Sequence, residues 1–287
     1  ITKVASPAAP GLDTEDGYMS AIGFQLPEDV VAVRDGVMRF VEAEVLPRLE
    51  RNHALFNDPR LTYAADGRYA PEVRALIREV RMASAAAGYY AMCAPAAIGG
   101  GGLGHLAYYV AWEAVYRRIG GHSILTPWVI AHWAFGPSAM LTQATPEAQA
   151  RCLDAMITGR TSMCFGLSEP GAGSDASMIK TRAVGDGDGW RITGRKLWTT
   201  NSPTAEWCIV FAVTDPGKAQ RKAGGISGFL VPTDTEGFEV ESVVRLFGHP
   251  GGHEGALVLE NIRVEPWQLV GVRLDRAAGR SRRRSAM

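Results

Sequence analysis

Apolar residues recur at helical spacing through the first half of the chain. Pro27-Glu28-Asp29 opens a run that carries Val30, Val33, Val37, Phe40, Val41 and Val45 on one face, with acids in its first turn where the helix dipole favours them. Pro71-Glu72 opens a second run with Val73, Leu76, Ile77 and Val80, continues through an Ala-rich stretch and stops at Gly88. A third spans His105 to about Arg118 with Leu106, Tyr109, Val110 and Val115, and shorter apolar pieces cover Ile124–Trp133 and Pro137–Leu141. Thr145-Pro146-Glu147 places an N-cap before a proline at the first helical position, so a last helix begins there. From Thr161 the period shortens. Strand-like runs cover Ser162–Leu167, Trp190–Thr193, Trp207–Val213, Gly228–Val231, Phe238–Val244 and Ala256–Leu259. Turns at Gly-Asp-Gly-Asp-Gly (185–189), Asp215-Pro216-Gly217 and Thr235-Glu236-Gly237 separate some of them. The pattern predicts helices over 19–160, then a barrel or sandwich of roughly 100 residues over 161–271.

Composition and charge narrow the function. The chain has 287 residues, 46% of them hydrophobic, enough for a sizeable core and about two domains. The 30 basic and 30 acidic residues cancel, which argues against a protein that works by neutralising nucleic-acid phosphates. That zero is uneven. Residues 272–287 hold six Arg and one Asp, a balance of 6 − 1 = +5, so the body carries −5. No apolar run reaches the ~18–20 residues of a membrane span. The four cysteines (93, 152, 164 and 208) lie far apart with no C-x-x-C pair, as expected of free thiols in a reducing cytoplasm. Residues 1–18, rich in Pro, Ala and acids, lack the apolar core of a signal peptide and are read as a leader outside the fold, with Met19 the natural start.

Two tempting motifs fail on context. Gly99–Gly104 satisfies G-x-G-x-x-G, but it sits between helices without the strand that a dinucleotide fingerprint requires, and reads as a flexible loop. His249-Pro-Gly-Gly-His253 spaces two imidazoles like helical metal ligands, yet Pro250-Gly251-Gly252 forbids the helix and no third ligand is evident, so it reads as a solvated loop. Trp112 and Glu113 read as packing and surface on a helix, and no serine-nucleophile elbow is present.

Ser168-Glu169-Pro170-Gly171-Ala172-Gly173-Ser174-Asp175 directly follows a strand. Its glycines let backbone N–H groups converge as a nest for phosphate oxygens, although a glycine-rich turn capped by Asp reads equally well. Some thirty residues on, Gly194-Arg-Lys-Leu-Trp198-Thr199-Thr200-Asn201 puts an indole at a strand end followed by two hydroxyls and an amide. That fits a ring platform with donors at its edge, or a half-buried hairpin Trp.

Taken together, S-E-P-G-A-G-S-D, W-R-I-T-G-R-K-L-W-T-T-N, Arg263-Val264 and Leu269-Val270-Gly271 resemble the acyl-CoA dehydrogenase family of flavoproteins, over roughly residues 24–271. The resemblance implies an α+β multidomain chain: an all-α helical N-terminal domain (19–160), then a β-barrel middle domain (161–271) that contacts FAD and acyl-CoA. It implies that Phe165, Leu167 and Ser168 pass the flavin ring, with the Ser168 hydroxyl at the isoalloxazine edge. Gly173 and Ser174 should approach phosphates, Ser174 also facing the thioester side of the substrate. Trp198 should pack on the flavin, Thr199 adjoin it and Thr200 reach toward N5. The implied reaction is α,β-dehydrogenation of an acyl-CoA thioester to the trans-2-enoyl-CoA. Electrons would pass to an electron-transfer flavoprotein, or to oxygen in related oxidases, and the complete protein would be a homo-oligomer, a dimer or tetramer.

The family's catalytic base is a Glu in a C-terminal helical-bundle domain. No Glu follows Glu265, so no catalytic residue is carried over and that domain is expected to be absent. The Arg-rich stretch 272–287 reads as an unstructured tail produced by a frameshift or broken gene. The expected activity is therefore that of a dehydrogenase lacking its base-bearing domain, with a non-catalytic flavin- or acyl-CoA-binding subunit, an inactive fragment, and an oxidase or flavin monooxygenase of the same fold as alternatives. Trp128, Trp133 and Phe135 either narrow the acyl cavity or fill the core.

Overall fold

The computed structural model describes residues 25–121 and 123–271. The leader expected over 1–18, the Met19 start and the Arg-rich tail over 272–287 lie outside the described residues. The first predicted helix is continuous in the structure as α1 (Glu28–Phe40), a wider π turn (Val41–Val45) and α2 (Leu46–Arg51). Pro47 has no N–H to offer the carbonyl four residues back, and the π turn absorbs that missing bond. Two short helices follow, α3 (His53–Asn57) and α4 (Pro59–Thr62), then α5 (Pro71–Ala86), α6 (Gly104–Ile119) and α7 (Pro146–Ile157). Val37, Val41 and Val45 pack with Val73, Ile77 and Val80 of α5 and with Ala111 and Val115 of α6, the stripes that the spacing predicts. Thr145 caps α7 as expected, its Oγ1 accepting from Ala148 N at 3.1 Å.

The Gly99–Gly104 segment is tighter than the flexible loop its composition predicts. Gly101, Gly102 and Leu103 donate their N–H groups to Ala91, Ala94 and Met92 carbonyls, so none of the three is left for a phosphate. A Cβ on Gly100 would sit 2.2 Å from the Ala94 carbonyl oxygen, which explains the glycine without any ligand.

The second domain is one sheet: β1 (Met163–Gly166), β2 (Arg182–Asp186), β3 (Gly189–Thr200), β4 (Trp207–Val213), β5 (Ile226–Pro232), β6 (Phe238–Leu246), β7 (His249–Val264) and β8 (Leu269–Val270), with a one-turn helix α8 (Pro216–Gln220) between β4 and β5. The order is β6-β7-β3-β2-β4-β5-β8, with β1 parallel to β4 in the gap beside β2. The expected barrel is not closed. β6 is bent by register shifts and β8 is two residues long, so the two ends of the sheet do not pair with each other. Its buried core holds Ile192, Cys208, Val210, Phe229, Leu257 and Ile262.

A third cluster joins the domains. Leu141, Ala148, Cys152 and Met156 from the helical side meet Met163, Ile209 and Leu230 from the sheet. Among the described residues no helix is long and apolar enough to cross a membrane, and no α-helix follows Gln220.

Candidate functional site

At the seam between the two layers lies a 420 Å³ cavity lined by Phe165, Leu167, Ser168, Trp198, Thr200 and Phe211 from the sheet, and by His132, Trp133, Ala134, Phe135 and Met140 from the helical domain. Its sheet side is built by the exit of β1 against β3. Leu197 N donates to the Ser168 carbonyl at 2.9 Å, and Lys196 Nζ donates to the Leu167 carbonyl at 3.2 Å. The Phe165 ring stacks on Phe211 at 6.0 Å and meets Trp133 edge-on at 5.2 Å. Trp198 adopts φ 61°, the left-handed region that an L-residue enters at a cost of about 1–2 kcal/mol. The β3–β7 register shifts at that point, and the indole is left half exposed at the cavity wall instead of packed into the sheet. Strain of this kind persists where surroundings fix it and concentrates at functional sites.

The Ser168–Asp175 turn is held from beneath by a buried ion pair. Glu169 Oε1 accepts from Lys196 Nζ at 2.8 Å and from Thr181 Oγ1 at 2.6 Å, and its carboxylate also takes the N–H groups of Lys180 and Thr181. Burial alone would raise the Glu169 pKa, but the hydrogen bonds from Lys196, Thr181 and the backbone outweigh it and hold the carboxyl below its ordinary range. Burial lowers the Lys196 pKa against the pull of Glu169. The acid of the turn thus faces inward, while Gly171 and Gly173 have open space where a Cβ would stand. Asp175 caps the following turn, and its hydrogen bond from Lys222 is the first cause that lowers its carboxyl to about 2.

A larger cavity of 660 Å³ adjoins the first through His132 and Phe135, which line both. Tyr108, Trp112, Glu113 and Tyr116 of α6 form one side, and His253 and Glu254 of β7 the other. Thr200 and Glu254 form the wall between the two spaces: the Thr200 hydroxyl lies 2.8 and 3.0 Å from the Glu254 carboxylate oxygens. His132 Nδ1 accepts from Ala134 N at 3.1 Å, which assigns the proton of the neutral ring to Nε2, and burial lowers its pKa.

The structure therefore brings Phe165, Leu167, Ser168, Trp198 and Thr200 to one cavity. Thr199 alternates to the other face and is fully buried in the domain interior. Gly173 and Ser174 lie exposed on the outer turn and line neither cavity. Trp128 belongs to the core, whereas Trp133 and Phe135 line the smaller cavity. The His249–His253 segment is not a solvated loop but the start of β7: a Cβ on Gly252 would stand 2.3 Å from the Tyr69 ring, and His253 meets that ring edge-on at 5.8 Å. Among the described residues no group of three or more His, Cys, Asp or Glu is placed to hold a metal. Sequence reasoning missed His132, His253 and Glu254 as lining residues and placed Trp112 and Glu113 in bulk packing and surface. They come from three separate stretches, α6, the segment around His132 and β7, and only the aromatic spacing along α6 (108, 112, 116) offered a signal.

Residues 27–160 match the family model for the acyl-CoA dehydrogenase N-terminal domain, and residues 164–262 match the model for its middle domain. The probable acyl-CoA dehydrogenase FadE25 of Mycobacterium tuberculosis is 32% identical over 248 residues, covering 86% of this chain and 57% of its own length. The human short-chain specific mitochondrial acyl-CoA dehydrogenase is 34% identical over 184 residues, 64% of this chain and 43% of its own. A glutaryl-CoA dehydrogenase from Mycobacterium smegmatis, solved in complex with FADH2, is similar with a TM-score of 0.65 at 25% identity, covering 88% of this chain and 58% of that one. The match spans between 43% and 60% of the length of these curated relatives.

Proposed function

The chain belongs to the acyl-CoA dehydrogenase family, and from that premise we propose that it holds FAD with the isoalloxazine ring in the 420 Å³ cavity and presents it to an acyl-CoA thioester for α,β-dehydrogenation. One observation carries the reading: five residues of two separated sequence blocks converge on a single slot between aromatic surfaces, with hydroxyls of Ser168 and Thr200 in its lining. The donor set fits a planar, polar-edged ring. The indole of Trp198 and the Phe165 and Trp133 rings supply apolar contact, and hydroxyls rather than charges meet the edge. The Ser168–Asp175 turn turns its Glu169 charge inward, which leaves the outer turn at Gly173 and Ser174 available to a phosphate.

When bound, the flavin would supply the acceptor for the β-hydrogen of the substrate as a hydride. The chain's own residues do the positioning. Ser168 fixes the ring edge by a hydrogen bond, Thr200 meets it with the oxygen of a hydroxyl whose proton goes to Glu254, and Trp198 covers the ring and excludes water. His132 and Phe135, shared by both cavities, set how closely a substrate in the larger space approaches the smaller one. The α-proton must go to a carboxylate. The family's base lies in its C-terminal domain, outside the matched residues 27–262, so no side chain here is assigned that role. Electrons would leave to an electron-transfer flavoprotein, and the working protein would be a homo-oligomer.

The purified chain titrated with FAD tests the reading. Quenched flavin fluorescence and a resolved protein-bound absorption band are expected, and both should be lost in Trp198→Ala with Thr200→Val. Bleaching by acyl-CoA marks the dehydrogenase, and bleaching followed by peroxide the oxidase. A flavin that no acyl-CoA reduces marks a binding subunit, and no uptake of FAD refutes the proposal.

A further inference from the structure

A separate cavity of 280 Å³ lies between α5 and the turn that follows β3, and it shares no lining residue with the two described above. Arg74, Arg78 and Arg81 line its helical side, Thr204 and Glu206 the other. The three arginines are four and three residues apart, which places them on one face of α5. Arg74 and Arg78 are exposed, whereas Arg81 is only 4% exposed. The Arg81 Nε is buried without a hydrogen-bond partner, and its guanidinium carbon lies 5.3 Å from the centre of the Trp128 ring. Among the described residues none of the three arginines forms an ion pair. The acid in the lining, Glu206, has its Oε2 held by the Ser162 N–H and hydroxyl at 2.7 and 3.2 Å.

A guanidinium does not lose its proton in a protein, so Arg81 cannot escape the cost of burial by becoming neutral. Like charges one turn apart on a helix add to that cost, and the Trp128 face offsets only part of it. Three arginines against one acid leave the lining at 3 − 1 = +2, and the positive end of the α5 dipole begins at Pro71 in the same lining. We propose that this cavity binds a phosphoryl dianion, as free phosphate or as the phosphate of a small ester, with Arg81 as its buried anchor and Arg74 and Arg78 at the rim. A dianion matches the charge of the lining, and the guanidinium fork presents paired N–H donors to phosphate oxygens. The volume falls just below the range of about 300–1,000 Å³ that takes a drug-sized ligand, which suits a small anion. The site is independent of the flavin reading, and either can fail alone.

Calorimetric titrations and thermal melts of the full chain test it, with sodium phosphate, glycerol 3-phosphate and malonate each set against sodium chloride at equal ionic strength. Phosphate should bind with a Kd of about 1 mM or below, and at about ten times that concentration should raise the thermal midpoint by about 3–6 °C. Arg81→Met should weaken binding at least about thirtyfold. Without phosphate the same variant should melt at or above the parent's midpoint, because it removes a lone buried charge and breaks no pair. Arg78→Glu reverses a charge at an exposed position, so it leaves the fold intact and should weaken binding about fivefold; it carries the test if Arg81→Met does not fold. Tighter binding of glycerol 3-phosphate supports the site with an ester as its source, and tighter binding of phosphate supports it with the free ion. Malonate bound as tightly as phosphate, a chloride control that gives the same shift, a phosphate Kd above about 10 mM, or binding that survives the substitutions overturns the proposal.

Discussion

Replacing Lys196 with Met should cost this protein more than any surface change, and the structure sets the size of the loss. The Lys196 side chain is fully buried, and it donates to Glu169 Oε1 at 2.8 Å and to the Leu167 carbonyl at 3.2 Å. Methionine fills the same volume without the charge. The Glu169 carboxylate, with a side chain 6% exposed, then stays buried on three remaining donors from Lys180 and Thr181. Breaking a buried pair from one side costs about 3–5 kcal/mol, and those three surviving hydrogen bonds place the loss near the lower figure. At roughly 2–4 °C per kcal/mol, the thermal midpoint falls by about 6–12 °C. The penalty also has a sign with pH. In the parent the Glu169 carboxyl is held low, so its stabilisation is present above the unfolded value and is lost as pH falls through the folded one. Without Lys196, one of the hydrogen bonds that oppose burial is gone and that carboxyl rises from its parent value, so the variant is penalised most at neutral pH and least where Glu169 protonates. Adding Glu169→Gln to the variant should return part of the loss, since removing both charges costs less than stranding one. Urea titrations of the three proteins at about pH 7 and about pH 4.5 test this. A loss under about 1 kcal/mol, or one equal at both pH values, refutes the account.

Trp198→Gly separates strain from binding. Glycine relieves the left-handed φ of 61° at a half-exposed position, so stability should hold or rise by up to about 1 kcal/mol, while FAD affinity falls at least about tenfold for want of the indole face. A drop in thermal midpoint without loss of FAD would contradict it. The four thiols give a second check. Cys152, Cys164 and Cys208 are buried, and burial pushes the Cys93 and Cys152 thiols up to about 11 and Cys164 well above its ordinary range. A thiol reagent at about pH 8 should label Cys93 slowly and first, with all four reacting only in denaturant.

How much of this was legible depended on what each segment had to do. Helix runs with a clear apolar stripe and a marked start, such as 28–51 behind Pro27 and 146–157 behind Thr145, stand where the spacing puts them. β3 and β7 are longer than their apolar patches. Gly194 and Gly251-Gly252 look like strand breaks, yet both strands run through them; the glycines are there because Thr181, Tyr63 and Tyr69 come too close for a Cβ. β2 was missed altogether, since most of Arg182–Asp186 is exposed and carries no apolar run. The smaller cavity was readable on its sheet side, where Phe165 to Ser168 and Trp198 to Thr200 sit in contiguous blocks. Its other wall, His132 to Phe135, and the Thr200–Glu254 contact come from partners 30 or more residues away, and only folding brings them together. Thr199 shows the limit of a block read as a unit: strand alternation sends one residue of Trp-Thr-Thr inward while its neighbours line the cavity.

That wall of the cavity depends on how firmly the helical domain is seated on the sheet, and the seat converges on Trp267. The turn Pro266–Gln268 carries it, fixed by reciprocal bonds between Glu265 and Gln268. The Arg151 guanidinium of α7 lies 4.3 Å over its ring, and its carbonyl accepts from the Thr145 hydroxyl at 2.7 Å, so the N-cap of α7 is also a tie between domains. On either side, Gln268 Nε2 donates to the Leu230 carbonyl and Gly271 N to the Gln143 carbonyl. Truncating a buried Trp costs about 3–5 kcal/mol; Trp267 is partly buried, so Trp267→Ala should cost about 2 kcal/mol. The more telling effect is on cooperativity. In the parent the shared cluster of Leu141, Cys152, Met156, Met163 and Leu230 belongs to both domains, so heating should give one transition whose calorimetric and van't Hoff enthalpies agree. Without the indole the cluster opens to water between α7 and the sheet. The helical and β signals should then part, with a calorimetric enthalpy above the van't Hoff value. FAD affinity should fall with it, because His132 to Phe135 are no longer held against Phe165. A variant that still melts in one transition and keeps its flavin would show that the smaller cavity is assembled by the sheet alone.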